Sequence, residues 1–304
     1  MPHFRNPLVP KTLERWQERD LVFERVAFQG RHGQAIPGLL AFSELARTRP
    51  LPVLLCMPGS PNVKEDLLFQ TGLIRTWADR GFFVLSIDRP YHGNRPGKAV
   101  DRVEQKGLLS VWGESLYDLM RAIDYAEWRG EADATRLGML GLSMGGMEAL
   151  WLAAIDERVD VVVSVAGHLA WDPLFASGAW REIFQGHPLT AKLSTVKAGE
   201  AQARGAFFEQ EPGMEAVDAR SVVPLMAPRP LLLMVGEQDP IMPVAATRSV
   251  FHAALPFYER QPDQLKLSVR AGIGHNFTRD MQAQALEWFI AWLGDPLNPA
   301  ASDD

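Results

Sequence analysis

Cysteine is nearly missing from this chain. Cys56 is the single one among 304 residues, which excludes an internal disulfide and any multi-cysteine metal site. It sits in the apolar run Val53-Leu54-Leu55-Cys56, so it reads as a small buried hydrophobe rather than a reactive thiol. Basic blocks are missing too. The balance is 31 Lys and Arg against 37 Asp and Glu, a net charge of −6, and no nucleic-acid partner is expected. No apolar run approaches the roughly 20 residues of a membrane span. The start, Met1-Pro2-His3-Phe4-Arg5-Asn6-Pro7, lacks the basic stretch and apolar stretch of a signal peptide. A soluble, cytoplasmic protein is the expectation. There is no H-E-x-x-H or other metal-ligand spacing, and no G-x-G-x-x-G after a strand. No metal and no cofactor is therefore expected. Internal repeats and low-complexity segments are absent as well.

What is present is core-forming material: 47% hydrophobic and 22% charged residues, enough for one large α/β domain spanning 1–304. Leu21–Gln29 and Ala35–Ser43 are β-prone runs around Gly30-Arg31-His32-Gly33 and predict an antiparallel hairpin at a sheet edge. Before them, 13–19 reads as a short helix. Short apolar runs follow at Leu51–Met57, 82–87, 137–142, 159–165, 231–235 and 265–269. Helical spacing lies between them, at 66–80, 107–128, Met144–Ile155, 244–255 and 281–293. Continuous apolar strands alternating with amphipathic helices predict a mostly parallel central sheet with helices on both faces. The alternation breaks at 168–224, a stretch of Trp and Phe among Gly, Pro and charges. It is too long for a plain loop and is expected to be a helical lid insertion.

The chemistry centres on Leu140-Gly141-Leu142-Ser143-Met144-Gly145-Gly146, placed between a strand run and a helix run. In that context G-x-S-x-G is a nucleophile elbow. The turn lifts the Ser143 hydroxyl to the top of the sheet and aims the Met144 N–H, at a helix N-terminus, at the same spot. A serine hydroxyl needs a base, and the base needs an orienting acid. Two later strand ends supply them in the required order: Asp239 in Gly236-Glu237-Gln238-Asp239-Pro240, and His275 in Gly272-Ile273-Gly274-His275-Asn276. Gly274 is expected to allow the close approach of the imidazole. Asp172 and Glu237 are rival acids. A second oxyanion donor is expected after Leu51–Met57, in Pro58-Gly59-Ser60-Pro61. There Ser60 is the best candidate, because Pro61 has no N–H, and Gly59 is second. Trp171 and His168, beyond the 159–165 strand, are candidate substrate contacts. His92 reads as loop structure near the rim and His32 as a solvated turn residue. His3, His187 and His252 have no motif around them.

Taken together these segments resemble the α/β-hydrolase superfamily, and within it the esterase branch of dienelactone-hydrolase-like and prolyl-oligopeptidase-like catalytic domains. The motifs are Pro58-Gly59-Ser60, Ile87-Asp88-Arg89-Pro90-Tyr91-His92-Gly93, Gly141-Leu142-Ser143-Met144-Gly145-Gly146, Ala227-Pro228-Arg229-Pro230 through Pro240, and Gly274-His275-Asn276-Phe277. The likeness runs over roughly residues 20 to 294. It implies Ser143 as nucleophile, His275 as base then acid, and Asp239 as orienter. Many relatives carry His-Gly in the oxyanion loop where this chain has Pro58-Gly59. A dienelactone hydrolase proper often uses cysteine as nucleophile; serine here points to ordinary esters. The expected function is a serine carboxylesterase acting on a small-molecule ester, with a peptidase, a thioesterase or acyltransferase, and a non-catalytic binding protein as the other readings. Nothing in the sequence specifies an oligomeric state.

Overall fold

The computed structural model describes residues 6–184 and 200–298. Nine strands among them form one sheet: β1 Lys11–Glu18, β2 Leu21–Gln29, β3 Ala35–Ser43, β4 Leu51–Met57, β5 Phe83–Ile87, β6 Ala132–Leu142, β7 Val161–Val165, β8 Leu231–Gly236 and β9 Leu265–Arg270. Their spatial order is β1-β2-β3-β5-β4-β6-β7-β8-β9. The first three strands and β5 pair antiparallel, and every pairing from β5 through β4 to β9 is parallel. Every residue of β4, β5, β7 and β8 is buried. Unbroken apolar strands are stable only when helices cover both faces of the sheet. The helices after β6 and β9, Met144–Ile155 and Arg279–Leu293, both pack on its centre.

Three local expectations are corrected. The stretch 13–19 is not a helix but most of β1, an edge strand paired with β2 except for a bulge at Leu13. Its burial pattern is almost wholly exposed, so no apolar periodicity marks it. Trp16 stacking on Phe23, with ring centroids 5.3 Å apart, ties it down. The helix expected over 66–80 is two pieces, Asp66–Phe69 and Leu73–Asp79. Gly72, at φ 68°, separates them in a left-handed conformation that costs glycine little. A helix at Ala99–Lys106 was not expected; it contains no buried residue. The long helix Leu108–Trp128 follows at once.

The 168–224 stretch does contain helices, at Trp171–Ser177, Trp180–Ile183, Glu200–Gln210 and Ala219–Val222. Trp171, Phe175, Phe184, Phe207 and Phe208 gather into one ring cluster, with centroids 4.8 to 6.4 Å apart. Residues 185–199, and with them His187, lie outside the described residues, as does His3. No helix among the described residues is long and apolar enough to cross a membrane.

One buried ion pair locks the antiparallel edge to the parallel part. Arg129, after the long helix, donates to Glu24 of β2 at 2.6 and 3.3 Å and to Glu131 at 2.9 Å. It lies over the rings of Phe42 and Phe83 as well. Removing one partner of a buried pair leaves the other charge under-compensated. Because Arg129 keeps Glu131, Glu24→Ala is expected to cost about 3 kcal/mol; a urea unfolding midpoint unchanged from wild type would refute this.

Candidate active site

The site is assembled from strand ends that converge because glycines let the backbone pass. A Cβ on Gly141 would lie 1.9 Å from the Gly145 carbonyl oxygen. One on Gly145 would lie 2.5 Å from Met57 O and 2.8 Å from Pro58 O. No side chain fits at either position. The end of β6, the start of the following helix and the loop after β4 are thus pressed together, as the elbow motif predicts. Ser143 sits in this turn at φ 54° and ψ −118°, outside the ordinary regions for a residue with a Cβ. Such strain clusters at functional sites and is held by its surroundings. Here the Ser143 N–H donates to Val165 O at 2.7 Å, and Ser143 O accepts from Met147 N at 3.1 Å. Met144 is the first residue of the helix, where the leading N–H groups have no partner inside the helix.

His275 and Asp239 meet at 2.8 Å, Nδ1 to Oδ2. Asp239 is held in turn by the Ile241 and Met242 N–H groups, which donate to its Oδ1 at 2.9 and 2.8 Å. In the tautomer whose Nδ1–H donates to the carboxylate, Nε2 is the nitrogen that carries no proton. The tight glycine here is Gly236, not Gly274. A Cβ on Gly236 would lie 2.2 Å from both Ile273 O and Gly274 O, whereas Gly274 has only a loose neighbour at 3.9 Å. Gly236 lets the two loops bond side by side, with Glu237 N to Arg270 O at 2.8 Å and Gln238 N to Ile273 O at 2.9 Å.

Ser143, Met144, Ser60 and His275 all line one cavity of about 470 Å³. Gly59 brings the loop after β4 against the elbow; a Cβ there would lie 3.2 Å from Ser143 Cβ. His92 lines the cavity as well. Its Nδ1 is 2.9 Å from Pro90 O and its Nε2 is 3.4 Å from Ser60 Oγ. Burial pushes its pKa below the usual histidine value.

The rival acids are engaged elsewhere. Asp172 pairs with Arg204 and Arg220 at 2.7 and 3.0 Å, and Glu237 accepts from Gly272 N at 3.2 Å. The two candidate substrate contacts do not fit the geometry. His168 is fully buried and absent from the cavity lining. Its Nδ1 is 2.9 Å from Thr247 Oγ1 and its Nε2 is 3.0 Å from Ser164 O. Trp171 lies in the aromatic cluster, its Nε1–H donating to Met214 O at 3.0 Å, and it too is absent from the lining. From the 168–224 stretch, Leu169, Glu182, Ile183 and Phe184 reach the cavity.

A buried network under the elbow was not anticipated. Arg89 is 2% exposed and Glu148 is fully buried. The guanidinium donates to both Glu148 oxygens at 3.1 and 2.9 Å and to Pro58 O at 2.7 Å. Ser115 Oγ donates to Glu148 at 2.5 Å. The signal was available: a lone acid in the apolar run Met144–Ile155 calls for a buried cation. On the next loop turn Asp88 accepts from Lys64 Nζ at 2.6 Å and Asn94 N at 3.0 Å. These bonds hold the loop that carries His92.

Strand order, elbow and cavity define an α/β-hydrolase. The match to a family model is specific: the prolyl oligopeptidase family covers residues 70–298, well over half of the chain, and this protein belongs to that family. YtaP of Bacillus subtilis, named provisionally as a hydrolase, is 28% identical over 219 residues, 70% of this chain and 66% of that one. YitV of the same bacterium, named provisionally as an esterase, is 24% identical over 259 residues, 85% of this chain and 96% of that one. Among solved structures, acetyl xylan esterase 1 from Thermoanaerobacterium sp. JW/SL YS485 superposes with a TM-score of 0.69 at 17% identity, over 95% of this chain and 89% of that one. A glucuronoyl esterase from Solibacter usitatus gives 0.67 at 15% identity, over 96% and 88%. These structural likenesses are of fold.

His168 makes a pH prediction. Burial lowers its pKa from 6.5 to about 4, against smaller raising contributions from the Ser164 carbonyl and the Asp239 charge. The unfolded chain takes up this proton near 6.5 and the folded chain only near 4. Between those values the unfolded state binds more protons, so stability falls as pH drops. The full loss is on the order of 3 kcal/mol. His168→Asn lacks this titration, and its stability deficit against wild type is expected to shrink from pH 7 to pH 4. Denaturant melts at a series of pH values measure it, and a constant deficit would refute it.

Proposed function

We propose that the protein is a serine carboxylesterase working through an acyl-enzyme. The observation that carries the reading is the strained Ser143 opening into the same cavity as His275, whose far nitrogen is tied to Asp239 at 2.8 Å. Ser143 Oγ attacks the ester carbonyl carbon while His275 Nε2 takes its proton. The oxyanion rests on the Met144 and Ser60 N–H groups. The C–O bond to the alcohol then breaks, and His275 returns the proton to the leaving oxygen. Water, deprotonated by His275, attacks the acyl-enzyme and releases the acid. Asp239 holds the ring orientation throughout, and its two backbone donors hold Asp239. The provisional names of YtaP and YitV, a hydrolase and an esterase, agree with this reading. The described part of 168–224 acts in it as a cap, since Glu182, Ile183 and Phe184 reach the cavity.

Family membership favours one second reading, a peptidase using the same three residues. The measurement that separates them is hydrolysis of p-nitrophenyl acetate beside glycyl-prolyl p-nitroanilide. Ester turnover without anilide turnover is expected, and the reverse would replace the esterase with the peptidase. Ser143→Ala is expected to lower ester turnover by at least about 10³-fold and to abolish labelling by a fluorophosphonate. Full activity in that variant would exclude the mechanism.

A further inference from the structure

The cavity walls carry more information than the reacting groups. Apart from Ser143 and His275, the side chains with polar atoms lining it among the described residues are Ser60, His92, Glu182 and, through its indole N–H, Trp112. His92 already spends Nδ1 on Pro90 O, and Glu182 is exposed at the rim. The opposite wall is apolar. It is built from Val103 of the Ala99–Lys106 helix, Leu108, Val111 and Trp112 in the first turns of the next helix, and Met147 and Leu169. A site for a sugar ester must present several hydrogen-bonding side chains to the ring hydroxyls, because each hydroxyl taken from water without a partner costs free energy. Among its side chains this wall offers a single donor, the Trp112 indole N–H, and no acceptor oxygen.

We propose that the site, read as an esterase site as above, selects esters of neutral, medium-length apolar carboxylic acids, with the chain lying against Val103, Leu108, Val111, Trp112 and Met147. The chain is placed on the acyl side because Met147 stands one turn from Ser143 on the helix that Ser143 caps. The acyl group stays bonded to Ser143 when the alcohol departs past His275. A methylene is about the size of a water, roughly 30 Å³, so a chain of roughly eight carbons fits within the 470 Å³ and leaves room for the alcohol. The Glu182 carboxylate disfavours an anionic acyl group at the rim.

The Ala99–Lys106 helix sets the limit of that wall. It lies between Gly97 and Gly107, at φ 92° and 79°, and is tied to the next helix through Arg102, which donates to Glu114 at 2.6 and 3.2 Å. Glu114 also accepts from Tyr91 at 2.6 Å. Val103, half-buried on this helix, faces the cavity, and a larger side chain there shortens it.

The test is kcat/KM for p-nitrophenyl esters from acetate to decanoate, beside n-alkyl acetates and a fully acetylated xylose, with fluorophosphonate labelling of Ser143 as control. Expected is a rise of about three- to fourfold per methylene from acetate to a maximum near hexanoate or octanoate, with no comparable rise along the alkyl acetates. In Val103→Trp the ratio of hexanoate to acetate is expected to fall at least about tenfold. Should that variant not fold, Val100→Trp, at a position 44% exposed on the same helix and lining the same cavity, carries the same expectation. Labelling of Ser143 with a flat or falling acyl series, a steeper rise along the alkyl acetates, or the acetylated sugar as best substrate would overturn this inference alone. No labelling and no turnover of any ester would overturn the esterase reading on which it rests.

Discussion

The crossing of two backbones at Gly141 and Gly145 is the constraint on which the site depends. A single methyl group at Gly141 would lie 1.9 Å from the Gly145 carbonyl oxygen, so the strand and helix pass at a distance no other residue permits. That contact forces the turn between them to be sharp, and sharpness places Ser143 at a positive φ. The same crossing brings Gly145 under the carbonyls of Met57 and Pro58. The loop carrying Ser60 is therefore held against the elbow by contact. Strain at Ser143 persists because its own N–H and C=O are both bonded and cannot relax without losing partners.

Beneath the crossing, charge does what packing cannot. Arg89 bonds Glu148, on the elbow helix, and the carbonyl of Pro58, at the start of the loop after β4. One buried guanidinium so joins the two segments that approach Ser143 from either side. Pairs of this kind add little net stability compared with apolar packing, but they specify geometry, since each member is costly without the other. Gly236 plays the corresponding part for Asp239 and His275: it has no side chain to keep two neighbouring loops from bonding edge to edge.

Much of this was legible in the chain. The apolar runs and the helical spacing named the parallel strands and most helices, because burial on both faces demands continuous hydrophobicity. What failed failed for a physical reason. The edge strand Lys11–Glu18 is nearly all exposed, so its state is decided by the free edge of β2 and not by its own pattern. The helix Ala99–Lys106 has no fully buried residue, yet it walls the cavity through the half-buried Val103. Gly274 stands next to the histidine, but the tight approach belongs to Gly236, because which glycine lies at a crossing depends on what packs over it. His168 and Trp171 follow a strand end as site residues often do, but both turn into the interior.

The sequence by itself determined the order of chemical groups and the local turns: an elbow serine, then an acid and a histidine each at a strand end, with glycines where the chain must bend hard. Those are properties of short stretches, readable from spacing. Only the tertiary structure decided which groups share a cavity. His92, Val103 and Phe184 come from three distant segments and line it together, while His168, two residues from Ala166 in the same lining, is excluded. Lining is set by how helices settle on the sheet, a sum of many long-range contacts that no local pattern encodes.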